Sequence, residues 1–197
     1  MAGTRRGAYA KGRARREAIL GAANEVFAAQ GFRGASLSSI ASRVGLSEPG
    51  VLHHFPSKQH LLLELLALRQ EDDAERVARA LADNVGFLDA LLRLCAENQE
   101  TGGLVRLFTI LAGESVDADH PAHAWMVERY RGLRERFVAR LETEQREGRM
   151  RADLDAGVVA AQLIALLDGL QVQWLLDPGE VDLTAPFAAF VERLRPA

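Results

Sequence analysis

The chain has 197 residues and a mass of 21.5 kDa, and is 48% hydrophobic and 26% charged. This is a globular composition for one domain or two small ones, and it excludes disorder, collagen-like repeats and low-complexity filaments. The longest nearly apolar run, residues 158–167 with Gln162 inside it, spans ten residues against the about 20 needed to cross a bilayer, and the basic N-terminus lacks the apolar stretch of a secretory signal. A cytoplasmic protein with no membrane span is expected.

The net charge of -3 hides an asymmetry. Residues 1–58 carry nine Lys or Arg against three acids, a balance of +6, while the remainder carries 15 bases and 24 acids, a balance of -9. A basic head on an acidic body is the footprint of a chain that meets a polyanion with one end, although an ordinary solvated basic tail reads the same way. The single cysteine, Cys95, rules out an intramolecular disulfide and cannot by itself supply a structural zinc site.

Residues 1–12, with Arg5, Arg6 and Lys11, are expected to form a basic flexible arm. From Arg13 the apolar positions Ile19, Ala22, Ala23, Val26 and Phe27 follow the helical i, i+3, i+4, i+7, i+8 pattern, and Gly31 stands where a C-terminal cap belongs. Ser36 caps a short second helix carrying Leu37, Ile40, Ala41 and Val44, which Gly45 stops. Ser47 caps a third, with Pro49 in its first turn and Val51, Leu52 and Phe55 on its apolar side, and Pro56 ends it. Ser57 caps a long fourth helix running to about Leu81. Helical patterning continues over residues 87–98, 104–115, 122–147, 154–176 and 183–194, with breaks at Gly102-Gly103, His120-Pro121, Gly148 and Pro178-Gly179. No strand pattern of alternating polarity occurs, so the fold class is all-α with about nine helices. The boundary between the short-helix head and the long-helix body should fall inside the fourth helix.

Residues 37–55 meet the demands of a helix-turn-helix: a small residue at the helix contact (Ala41), a residue tolerant of positive φ in the turn (Gly45), and apolar locks at Ile40, Val44, Leu46 and Val51. Any tight helical hairpin wants similar residues. The wider text adds specificity: the helix ending Val26-Phe27-Ala28-Ala29-Gln30-Gly31-Phe32, then Ser36 to Ala41, Val44 to Ser47, and His53-His54-Phe55-Pro56-Ser57-Lys58. Over residues 13–60 the chain resembles the TetR/AcrR-type transcriptional regulators. The acidic body supports this only by length and helix content.

The resemblance implies a helix-turn-helix DNA-binding domain over residues 13–60 and a helical effector-binding and dimerisation domain over residues 61–197. It makes the third helix the recognition helix in the major groove, with Ser47, Glu48, Pro49 and Gly50 at the groove. Glu48 can accept from a cytosine amino group and Pro49 can touch a thymine methyl. His54 matches the family's phosphate-contacting position and His53 a variable position near the bases, although either can be a solvated surface histidine. Lys58 would set an ammonium on a phosphate, and Ser36 and Ser38 are hydroxyl donors placed to do the same. Leu52 departs from the family, which usually carries Tyr there, so Leu52 either meets a thymine methyl or turns into the core. Arg13 and the basic residues around it would add nonspecific affinity.

In the body, Leu104, Leu107, Phe108 and Leu111 form one apolar stripe and Met126, Tyr130, Leu133, Phe137 and Leu141 another; by default such stripes are core. The resemblance implies that part of this core is hollow and holds a small, largely apolar effector. Candidate liners are Leu104, Leu107, Phe108, Leu111, Trp125, Arg129, Tyr130, Leu133 and Gln171, with Asn98, Gln99, Arg106 or Trp174 as further polar groups. It also assigns Leu163, Leu166, Leu167, Leu170 and Trp174, with Phe187, Phe190, Val191 and Leu194, to a homodimer interface, and a two-fold dimer demands a palindromic double-stranded operator. The expected function is a ligand-responsive repressor released by its effector. A regulator without an effector, or an activator, is the alternative.

An enzyme finds little support, with no phosphate loop and no nucleophile elbow, and no cofactor is implied. Cys95 reads as a small buried hydrophobe. The pair His120 and His123 lacks a third metal ligand. Glu142, Glu144 and Glu147, interleaved with Arg140 and Arg146, read as a solvated face.

Overall fold

A computed structural model of the chain describes the backbone of residues 2–100 and 102–196, and the side chains of residues 10–99 and 104–196. Among the described residues there are nine helices and no strand: α1 (Ala2–Gly34), α2 (Leu37–Arg43), α3 (Glu48–His54), α4 (Lys58–Ala82), α5 (Phe87–Glu100), α6 (Gly102–Glu114), α7 (His123–Arg146), α8 (Ala156–Leu176) and α9 (Thr184–Leu194).

Three serines start the helices of the head. Ser36, Ser47 and Ser57 each accept a hydrogen bond from the backbone N–H three residues on, at 3.0, 3.2 and 3.2 Å, satisfying one of the donors that a helix start leaves orphaned. Two glycines set the turns. Gly45, at φ 64°, makes the bend between α2 and α3, which is closed by Leu46 N–H donating to the Ala41 carbonyl at 3.0 Å. Gly31, at φ 68° and ψ 178°, breaks the helical path inside α1.

The flexible arm expected over residues 1–12 is corrected: α1 continues through them from Ala2. The Ala, Arg and Lys there are strong helix formers, and Gly3, Gly7 and Gly12 interrupt them without breaking the helix. The Arg5 and Arg6 side chains lie outside the described residues. Gly102, expected to break the chain, instead begins α6, a position where the missing side chain costs little.

Two apolar cores organise the chain. The first joins Ile19, Ala23, Val26 and Phe27 of α1 with Ile40, Val51 and Phe55, with Leu61, Leu62, Leu65 and Leu66 of α4, and with Leu107, Leu111 and Met126 from α6 and α7. Head and body are therefore one packed unit across the expected boundary. The second gathers Phe87, Leu91, Cys95, Phe137, Leu141, Leu163, Phe187 and Val191. Cys95 is buried there as expected; its thiol donates to the Leu183 carbonyl at 3.3 Å, and burial, then Asp182, push it up to about 11. Glu144 corrects the solvated-face reading. It is buried, accepts from the Phe87 N–H at 3.0 Å and from Arg149 at 2.6 and 3.0 Å, and so closes the start of α5 onto the end of α7.

By length and composition α8 is the one described helix that could cross a membrane, at a mean hydropathy of 1.5, which the unbroken-run criterion had passed over. Gln162, Asp168, Gln171 and Gln173 punctuate it.

Candidate nucleic-acid interface and effector cavity

The α2–α3 pair presents one face outward. Val51 and Phe55 anchor α3 in the first core, while Glu48, Pro49, Leu52 and His53 are exposed on the opposite face, with Ser47 exposed at its start. The spacing i, i+1, i+4, i+5 puts those four on one side of a helix. Leu52, 36% exposed, belongs to that outer side and not to the core. Gly50 is half-buried against Leu46 and Ser47, so it serves the cap as well as the surface.

His53 and His54 meet edge to face with ring centroids 5.3 Å apart. Burial, then His53, Arg16 and Arg15, hold the His54 imidazole below its ordinary value, which favours the neutral ring. Ser36 is committed to its cap, with its hydroxyl 3.0 Å from the Ser38 hydroxyl, and both residues are exposed. Arg13 is exposed and pairs with Glu17 along α1 at 3.3 Å.

The Lys58 ammonium donates to the carbonyls of Phe32 and Ala35, both at 2.8 Å, and sits 4.4 Å over the Phe32 ring. A charge held by two carbonyls and an aromatic face ties the end of α1 to the start of α4, using two of the three N–H donors of the ammonium. A neighbour of Arg13, expected only to add nonspecific affinity, does related work. Arg16 of α1 donates to the His54 carbonyl at 2.6 Å and to Glu64 at 2.7 Å, and stacks 4.2 Å over the Phe55 ring. It clamps the end of the outward helix to α4.

The body contains a cavity of about 220 Å³ walled by α4, α5, α6, α7 and α8. Of the nine expected liners, Phe108, Arg129, Leu133 and Gln171 line it. The other five do not. Leu107 and Leu111 fill the first core, Trp125 packs against it, Leu104 lies half-buried away from the cavity, and the Tyr130 hydroxyl donates to Asp168 at 2.8 Å. Asn98 is in the wall.

All of α4's contribution was missed, Arg69, Gln70, Asp73, Val77 and Leu81 among it. A signal existed, because Arg69 and Asp73 continue the i, i+3, i+4 phase of Leu62, Leu65 and Leu66, placing charges on an otherwise apolar face. Arg69 donates to Asp73 and to Asn98, each at 3.0 Å, and Arg129 donates to Gln70 at 3.3 Å while lying 4.5 Å over the Phe108 ring. Burial raises the Asp73 carboxyl above its ordinary value against the pull of Arg69 and Arg129. It raises Asp168 against the Tyr130 hydrogen bond and Arg129, and it lowers the Arg129 guanidinium.

Among the nine residues assigned to a dimer interface, Leu163, Leu170, Phe187, Val191 and Leu194 are corrected. They are buried in the chain's own second core, because the widest apolar faces are used first within the chain. Leu166, Leu167, Trp174 and Phe190 are half-buried, and Leu167 lines the cavity. The outward side of α8 carries Val158 (55% exposed), Val172 (43%) and Leu176 (80%), with Ala161 and Ala165 between them. His120 and His123 serve a loop: Ala122 N–H donates to His120 Nδ1 at 3.2 Å, and His123 Nδ1 lies 2.8 Å from the Ser115 carbonyl. No metal-ligating group of three occurs among the described residues.

A capped outward helix held on a helical body with a cavity between its helices is the architecture of a helix-turn-helix regulator. Residues 19–65 match the family described as bacterial regulatory proteins, tetR family, and residues 85–195 match the BetI-type transcriptional repressor, C-terminal family. The chain is 30% identical over 168 residues to the transcriptional repressor AcnR of Corynebacterium diphtheriae, covering 85% of this chain and 84% of that one. It is 29% identical to the regulator PksA of Bacillus subtilis, covering 85% and 82%. A TetR-family regulator from Agrobacterium tumefaciens shares the fold with a TM-score of 0.77 at 22% identity, covering 94% of this chain and 100% of that one. A regulator from Saccharomonospora viridis, solved in complex with choline, gives 0.76 at 26%, covering 90% and 95%. The chain belongs to the TetR family of DNA-binding bacterial transcriptional regulators.

Proposed function

We propose that this regulator is a repressor that binds a palindromic double-stranded operator as a two-fold homodimer and is released by a small, largely apolar effector held in the body cavity. The observation that carries the reading is the double use of α4. Leu61, Leu62, Leu65 and Leu66 pack under the helix-turn-helix, and Arg69, Asp73, Val77 and Leu81 of the same helix wall the cavity. Whatever moves one end of this rod moves the other. An effector with different affinity for two positions of α4 shifts the population between a DNA-fitting state and a misfitting one, by as much as that difference and no more. The cavity favours an effector-controlled regulator over one without an effector, and the repressors among the relatives favour repression over activation.

At the operator, Glu48 accepts from base amino groups, Pro49 and Leu52 cover thymine methyls, and Gly50 lets the backbone approach. Ser36, Ser38, Ser47, His53 and His54 meet phosphates and base edges, and Arg13 adds unspecific attraction. Lys58 and Arg16 hold the reading head rigid. The exposed stripe of α8 is the surface that a second copy covers, setting two recognition helices about 34–36 Å apart. The regulator acts in the compartment that holds the chromosome.

Selecting and sequencing DNA bound by the purified protein tests this. An inverted repeat is expected, and Glu48→Ala should alter the preferred bases without changing the spacing of the half-sites. An asymmetric motif, or a motif indifferent to Glu48, overturns the assignment.

A further inference from the structure

The chemistry of the cavity narrows its occupant. At about 220 Å³ it is smaller than the roughly 300–1,000 Å³ of sites for drug-sized ligands, so the guest is compact. Two arginines, 69 and 129, line its inner wall against two carboxylates, Asp73 and Asp168, and Arg136 and Arg140 stand exposed at its rim. Both carboxylates already have partners: Asp73 Oδ2 takes Arg69 at 3.0 Å and lies 4.0 Å from Arg129, and Asp168 takes the Tyr130 hydroxyl. Arg129 is less well served. Its side chain is only 10% exposed, and its Nε–H is buried with no partner. A buried unmet donor on a charged group is costly, and a carboxylate is the acceptor whose geometry and sign fit a guanidinium.

Resting on the ligand-responsive reading above, we propose that the effector is a compact amphipathic carboxylate, its head on Arg129 and its tail among Leu81, Phe87, Leu91 and Phe137. Asp73 Oδ1, also buried without a partner, takes a hydrogen bond from a hydroxyl on the ligand or from a water that enters with it. A quaternary ammonium would meet the Arg129 guanidinium instead and has no acceptor for its Nε–H.

The test is calorimetric binding and thermal shift on the full chain with four probes: octanoate, octan-1-ol, octyltrimethylammonium and choline. Octanoate should bind at least about tenfold tighter than octan-1-ol, with no binding of the two cations. Arg129→Gln should erase the preference for octanoate over the alcohol, a loss of about 10- to 100-fold in octanoate affinity. Should that variant fail to fold, the wild-type series decides alone. If the alcohol or either cation binds as well as octanoate, or if none of the four binds, the carboxylate assignment is overturned. Octanoate binding that leaves operator affinity unchanged would instead overturn the ligand-responsive reading and leave the pocket chemistry standing.

Discussion

Lys58 Nζ lies 2.8 Å from the carbonyl oxygens of both Phe32 and Ala35, so the first charged side chain of α4 closes the loop in which α1 ends. Removing it leaves two carbonyls without their donor and an aromatic face without its cation. Lys58→Ala is therefore expected to cost about 1–3 kcal/mol of unfolding free energy, read from urea denaturation. The slope of log affinity against log salt should not change, because no phosphate contact is lost. A slope shallower by about one with unchanged stability would return Lys58 to the DNA.

Gly31 is the second joint of the same region. At φ 68° and ψ 178° it occupies backbone space that essentially only glycine visits, and a Cβ there would collide with the Glu114 carboxylate. That carboxylate accepts the Phe32 N–H at 2.9 Å, joining α1 to α6. Gly31→Ala should destabilise the chain by about 1–3 kcal/mol from the strain alone, with further loss as Glu114 is displaced. Gly34→Ala, whose added Cβ would meet only Gln30 Cβ at an ordinary 3.5 Å, is the control and should be near neutral. Equal melting temperatures for the two variants would refute the joint.

These two joints show what a sequence can and cannot reveal. The capping serines 36, 47 and 57 and the turn at Gly45 were legible because cap and turn chemistry is settled within three or four residues. The tie that Lys58 makes was not legible because its acceptors lie 23 and 26 residues away, a distance that spacing does not encode. Leu163 and Phe187 were assigned outward because an apolar helix face looks alike whether its own chain or a second copy covers it. The cavity was half-read for the same reason: Phe108 and Leu107 sit on one stripe, yet one lines the hollow and the other fills the core.

The loop after α6 carries a pH dependence. His120 is buried, accepts the Ala122 N–H at Nδ1, and packs edge-on to Phe32 with centroids 5.3 Å apart. Burial lowers its pKa and Arg33 lowers it further, while Glu114, 3.5 Å from its Nε2, and Asp117 oppose this. The folded ring is thus kept neutral to lower pH than the unfolded one. The unfolded chain binds the extra proton below its ordinary value near 6.5, so stability is full above that pH and falls as pH drops from there toward the folded value. Melting temperatures measured between pH 7.5 and 5.5 should decline, and His120→Gln should flatten part of the decline. His54 is lowered in the same sense and contributes in the same window, so His54→Gln separates the two. A wild-type profile that rises on acidification over this range would show the sign to be wrong.

On α8 the exposed residues, and not the buried ones, should govern assembly. Val172 is 43% exposed and Leu163 is 0% exposed on the same helix. Val172→Arg adds a charge to the outward stripe without disturbing the core, so its effect on the folding of the single chain should stay within about 0.5 kcal/mol. Sedimentation should show the dimer shifting to monomer. Binding to a two-half-site operator should weaken by more than about 100-fold, because the second half-site then binds as a separate event. Leu163→Ala should behave in the opposite way, losing about 2–5 kcal/mol of stability through the cavity it leaves while the folded fraction still dimerises. A monomeric Leu163→Ala beside a dimeric Val172→Arg would reverse the assignment and move the interface to the other side of α8.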